Sequence, residues 1–115
     1  MADDHLGNLE RVCETLSTDF EVLAQVQDGL TAFHAAIELQ PDILILDFSM
    51  PKMDGIQTAR ELRKRNFRSA ILFLTIHADD GYMEVLSELR AGYVSKVRMQ
   101  TNLVPAIRAE LRKNR

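Results

Sequence analysis

Cysteine is almost absent from this chain. Cys13 is the single one in 115 residues, so no internal disulfide can form. It falls among Leu9, Val12 and Leu16, apolar positions at helical spacing, and reads as a small buried hydrophobe rather than a redox thiol. No stretch has the length and apolarity of a membrane span, and none has the layout of a signal peptide, which leads us to expect a cytoplasmic protein without membrane contact. No repeat, low-complexity tract or linker is visible. A strong charge of one sign is lacking too: the net charge is −3, which gives the whole chain no electrostatic pull toward nucleic acid. The basic tail carrying Arg108, Arg112, Lys113 and Arg115 reads as the solvated face of a last helix.

What is present is ordinary globular material, 46% hydrophobic and 27% charged, in a length that suits one domain over residues 1–115. The pattern alternates. Phe20 to Val26 reads as a strand. Asp28–Gly29 punctuates the chain, with Asp28 a candidate N-cap for a helix whose apolar side is Phe33, Ala36, Ile37 and Gln40, and Pro41 ends it. The run DILILD, ending at Asp47, is short and apolar on both faces, as is AILFLT from Ala70 to Thr75; both read as strands covered by helices on two sides. Between them Ile56, Ala59 and Leu62 mark a helix that turns Arg60, Glu61, Arg63 and Lys64 outward. Met83, Leu86 and Leu89 mark another, stopping near Gly92. YVSK is a short strand. Leu103, Val104, Ile107 and Leu111 carry a last helix, with Pro105 expected in its first turn, where its missing N–H costs little. Alternation of this kind predicts an α/β fold with a parallel sheet and right-handed crossovers.

In such a sheet reactive groups lie beyond the carboxyl ends of the strands. Asp47, Thr75 and Lys96 each end a predicted strand, and Asp3 and Asp4 open the chain. Carboxylates gathered at one rim repel unless a cation joins them; hard oxygen ligands favour Mg²⁺, and Lys and Thr suit a phosphoryl group. The set reads as an aspartate that accepts phosphate. Taken singly, each residue has a plainer reading: Asp47 as a helix cap or turn residue, Thr75 as a strand former or cap, Lys96 as a solvated lysine, Asp3 and Asp4 as a polar terminus. The three histidines, His5, His34 and His77, have no ligand spacing, and His77 reads as a loop residue at the lip of the site.

The stretches ADDH, FEVLAQVQDG, QPDILILDFSMPKMDG, LFLTIHADD, LRAG, YVSK and LVPAIR occur in an order that resembles the receiver domain of bacterial two-component response regulators, the CheY-like fold, and within it the NarL/FixJ type. The resemblance implies a flavodoxin-like sheet in the order 2-1-3-4-5. It implies that Asp47 is the phosphoacceptor for a sensor histidine kinase, a phosphotransfer protein or a small phosphodonor. It further implies that Mg²⁺ is held by Asp3, Asp4, Asp47 and the Ser49 carbonyl, and that Lys96 and Thr75 bind the phosphoryl oxygens. Tyr93 matches the family's switch aromatic, which moves between exposed and inward rotamers. Pro51 and Gly55 shape the loop after Asp47. The protein is then a signalling switch in a phosphorelay rather than an enzyme, and the helix beginning near Asp79, the YVSK strand and the last helix form its output surface.

Two departures from the family's pattern stand out. Only Met1 and Ala2 precede Asp3, so the first, central strand is largely missing. Either its residues lie outside this sequence, or its neighbours close into a four-stranded sheet, or two chains exchange elements or pair at the exposed edge as a homodimer. Gly92 also meets Tyr93 directly, where helix-to-strand loops usually take about 2–6 residues, so the helix must end early or the strand must shift. No recognition helix follows the last predicted helix, and no direct nucleic-acid contact is expected. Unsupported Asp3 and Asp4 leave a second reading, a phosphorylation-incompetent interaction module. A phosphohydrolase would need an acid two residues after the nucleophile, where Ser49 stands.

Overall fold

The computed structural model describes residues 25–47, 54–75, 83–95 and 99–113. In chain order the elements are α1 (Gly29–Leu39), β1 (Ile43–Asp47), α2 (Gly55–Lys64), β2 (Ala70–Thr75), α3 (Met83–Leu89), β3 (Ala91–Ser95) and α4 (Met99–Lys113). The strands form one parallel sheet in the order β1-β2-β3. Its register is fixed by pairs such as Leu46 with Phe73 and Phe73 with Tyr93. Of the predicted strand Phe20 to Val26, residues 20–24 lie outside the described residues, and Val26 makes a bridge contact. The Cys13 helix and the question of a first strand before Asp3 lie outside the described residues.

Alternation along the strands explains the layers. Leu44, Leu46, Ile71 and Phe73 pack with Ala32, Phe33 and Ala36 of α1, Ala59 and Leu62 of α2, and Leu86 and Leu89 of α3. Ile45, Leu72, Leu74 and Val94 pack on the other face with Leu103 and Ile107 of α4. Both faces are dry, which is why β1 and β2 read as unbroken apolar runs. Each such fully buried side chain contributes roughly 1.5–3 kcal/mol to the fold.

The helices start where short acids can cap them. Asp28 accepts the Thr31 N–H at 2.8 Å and the Thr31 hydroxyl at 3.0 Å. Asp54 caps α2, accepting the Gln57 N–H at 2.7 Å. Helix α1 closes on Gln40, a left-handed residue whose N–H donates to the Ala36 carbonyl at 3.1 Å, with Pro41 next.

Three expectations need correcting. Ile37 and Gln40 do not belong to the buried side of α1: the buried arc is Gly29, Ala32, Phe33 and Ala36, and Ile37, a further ~100° around the helix, is 38% exposed. Pro105 is not in a first turn. Helix α4 begins at Met99, so Pro105 stands inside it and removes the bond that its N–H would give to the Thr101 carbonyl; Leu103 and Ile107, both fully buried on either side, hold the helix through that gap. The third is Arg63, which does not face outward and is described below.

The tight junction before YVSK is resolved by an early helix end together with an early strand start. Helix α3 stops at Leu89, and β3 takes in Ala91 and Gly92. Arg90 alone makes the turn in the left-handed region at φ 54°, its N–H donating to the Ser87 carbonyl at 3.1 Å. Gly92 permits a close approach: a Cβ there would meet the end of the Glu110 side chain on α4, which would have to move aside. Glu110 in turn accepts from Lys113 at 3.3 Å.

Candidate phosphoacceptor site at the carboxyl rim of the sheet

Among the described residues the buried polar side chains are Asp47, Thr58 and Thr75. Two of them end adjacent strands. Asp47 closes β1 at 4% exposure and Thr75 closes β2 at 5%. The register sets Asp47 beside Leu74, so Thr75 stands one residue further out on the next strand. A strand spacing of about 4.8 Å and a rise of about 3.3 Å separate their Cα atoms by roughly 6 Å. By alternation Asp47 continues the row of Ile43 and Ile45 on the α4 side, and Thr75 the row of Ile71 and Phe73 on the other, so the pair brackets the rim from both faces. A carboxylate is costly to bury unless polar partners meet it, and neither Asp47 nor Thr75 lacks them.

The plainer reading of Asp47, as cap of the helix that follows, does not hold: Asp54 does that work, through Gln57. The start of α2 is also tied to the start of α1, since the buried Thr58 hydroxyl donates to the Asp54 carbonyl at 2.8 Å with the Gly29 carbonyl 3.4 Å away. Ser95 pairs with Thr75 across β2 and β3, so the strand end that leads to Lys96 is the third position of the rim. Tyr93 of β3 pairs with Phe73 of β2 and is 39% exposed. Lys96, Asp3, Asp4, Ser49, Pro51 and His77 lie outside the described residues. Of the four expected Mg²⁺ ligands the described residues contain Asp47, a hard oxygen donor of the type that ion takes. Among the described residues no three His, Cys, Asp or Glu side chains gather into a metal-holding group. Nor, among those residues, is any helix long and apolar enough to cross a membrane.

Arg63 is the polar residue whose placement differs most from expectation. Its Nε donates to the Leu89 carbonyl at 2.8 Å, and Nη1 to those of Phe67 and Ser69 at 2.7 and 2.9 Å. Nη2 reaches the Arg90 carbonyl at 3.4 Å. The guanidinium also lies 5.9 Å from the Phe67 ring centre. Burial, and then the charge of Arg90, hold it below its ordinary pKa; it starts so high that it stays protonated at any ordinary pH. The signal was available: Arg63 follows Ile56 by seven positions and so shares its inward stripe on α2.

A parallel sheet covered by helices on both faces, with an acid and a hydroxyl buried at its carboxyl rim, defines a flavodoxin-like α/β protein. Comparison with known proteins narrows the class. The family model of the response regulator receiver domain matches residues 1–108. Over 109 residues the chain is 33% identical to the transcriptional regulatory protein DegU of Brevibacillus brevis, covering 92% of this chain and 46% of that protein. It is also 33% identical to the DNA-binding transcriptional activator EvgA of Escherichia coli K12, covering 93% of this chain and 53% of that one. The chain thus spans about half the length of these curated relatives. A LuxR-family DNA-binding response regulator from Staphylococcus aureus superposes with a TM-score of 0.88 at 29% identity, over 96% of this chain and 94% of that one. The receiver domain of a response regulator named NarL from Mycobacterium tuberculosis gives 0.89 at 27% identity, over 96% and 92%. The chain belongs to the response regulator receiver domain family of two-component signal transduction, with the CheY-like fold.

Proposed function

We propose that Asp47 accepts a phosphoryl group from the phosphohistidine of a sensor kinase or phosphotransfer protein. A carboxylate oxygen attacks phosphorus, the P–N bond breaks, its electron pair returns to the imidazole nitrogen, and an acyl phosphate remains on Asp47. The observation that carries this is the burial of Asp47 at the rim, one residue out of step with a buried Thr75 on the neighbouring strand. Thr75 donates its hydroxyl to the incoming oxygens and Lys96 supplies the balancing charge. Mg²⁺, held by Asp3, Asp4, Asp47 and the Ser49 carbonyl, would neutralise the gathered carboxylates. Tyr93 turns inward from its exposed setting as Thr75 shifts, and the face of α3, β3 and α4 changes its affinity for partners. Output then passes through attached or bound partners, a second copy of this chain among them, with no nucleic-acid contact by the chain itself.

The test is incubation with a small phosphodonor and Mg²⁺ followed by intact mass. One added phosphoryl group is expected, absent in Asp47→Asn; an unmodified chain under conditions that label an ordinary receiver would sink the reading. One rival is an interaction module of the same fold that takes no phosphate. Mg²⁺ titration by NMR separates them: shifts confined to Asp47 and its neighbours support phosphorylation, and a silent rim supports the module.

A further inference from the structure

We propose that Arg63 is a positioning residue that bolts the starts of β2 and β3 together, and so sets how readily the α3–β3 edge separates from the sheet. Its four acceptors come from two distant stretches. The Phe67 and Ser69 carbonyls lie in the turn that feeds β2, and the Leu89 and Arg90 carbonyls form the junction that feeds β3. One planar fork therefore spans both strand entrances, with four of its five N–H groups engaged.

The junction needs such a partner. Helix α3 ends at Leu89; the Ser87 carbonyl accepts the Arg90 N–H, and the carbonyls of Leu89 and Arg90 lie past the last turn. A helix usually closes with a glycine in the left-handed region, followed by residues whose N–H groups fold back onto those carbonyls. Here Arg90 occupies that conformation without being glycine, and the chain enters β3 at once. The Arg63 guanidinium adds donors for the Leu89 and Arg90 carbonyls beside the Arg90 N–H that reaches Ser87, and its positive charge meets the negative end of the α3 dipole. All four acceptors are neutral main-chain carbonyls, so direction rather than charge pairing decides the fit. A lysine ammonium cannot reproduce that fork.

The consequence falls on one edge. Among the described residues β3 has a single strand neighbour, β2. It carries Tyr93 and pairs Ser95 with Thr75, so whatever loosens its entrance loosens Tyr93 and the third position of the rim. The meaning for signalling rests on the receiver reading above; the mechanical claim does not.

Amide hydrogen exchange on the full chain tests it, comparing the native protein with Arg63→Lys and Arg63→Gln without phosphodonor. Amides of α3 and β3 are expected to exchange about tenfold or more faster, while those of β1 change by less than about threefold. Equal acceleration in β1 would overturn the proposal, since Arg63 would then support the whole fold and no particular edge. Unchanged exchange in α3 and β3 would overturn it as well. Should the single variants fail to fold, Arg63→Lys is combined with Arg90→Gly, which frees the junction from left-handed strain. Recovery of folding supports the proposal, and continued failure overturns it. No step of this test uses phosphotransfer, so an unphosphorylatable Asp47 would leave its outcome readable.

Discussion

The two ends of the sheet bury polarity in opposite ways. At the carboxyl rim the buried groups are short, Asp47 and Thr75, and each is rooted at the end of a strand. At the amino end the group is long: Arg63 reaches from the last turn of α2 to carbonyls before β2 and before β3. Short side chains on rigid strands hold their atoms closely in place, as a site for group transfer requires. A long fork on a helix spans separate segments and binds them together. One end is thus suited to chemistry and the other to cohesion.

That contrast can be broken or sharpened by substitutions that act on one end alone. The largest effect on stability is expected at the amino end. Arg63→Ala leaves four carbonyls without their donor and should lower the free energy of opening α3 and β3, read by amide hydrogen exchange, by about 2–3 kcal/mol, while phosphoryl uptake at the far rim changes by less than about twofold. A large loss of uptake there would show that the two ends are not separable. Next comes Thr75→Ala. Losing one hydrogen bond to a charged oxygen should slow phosphoryl uptake about tenfold, a difference of about 1.4 kcal/mol in activation free energy, read from the time course of intact mass. Asp54→Ala removes the α2 cap and should cost about 1 kcal/mol of unfolding free energy in a urea titration. The smallest effect belongs to Lys64→Ala. Its contact with Glu61 spans 3.2 Å between side chains 66% and 37% exposed, and its loss should shift stability by less than about 0.5 kcal/mol.

Much of this was legible from residue order. The runs ending in Asp47 and Thr75 could be read as doubly covered strands because both faces of the sheet are apolar, and β2 runs from Ala70 to Thr75 as expected. Asp28 was readable as a cap because a short acid before a helical pattern has few other uses. Arg63 was misread although its spacing from Ile56 hinted at the truth; a charged type at an inward edge looks solvated until the carbonyls it meets are known. Pro105 was misplaced because the start of α4 depends on packing around Leu103 and Ile107, not on local signals.

Sequence alone determined the alternation of strand and helix, which follows from local periodicity, while the ordered motifs carried the resemblance to the family and, through it, the proposed roles of Asp47 and Thr75. Tertiary structure decided which side of α1 is buried, that Arg90 alone makes the α3–β3 turn, and that one guanidinium joins two strand entrances. Those outcomes turn on contacts between stretches more than twenty residues apart, such as Arg63 with Leu89, and no local pattern specifies which carbonyls a long side chain will find.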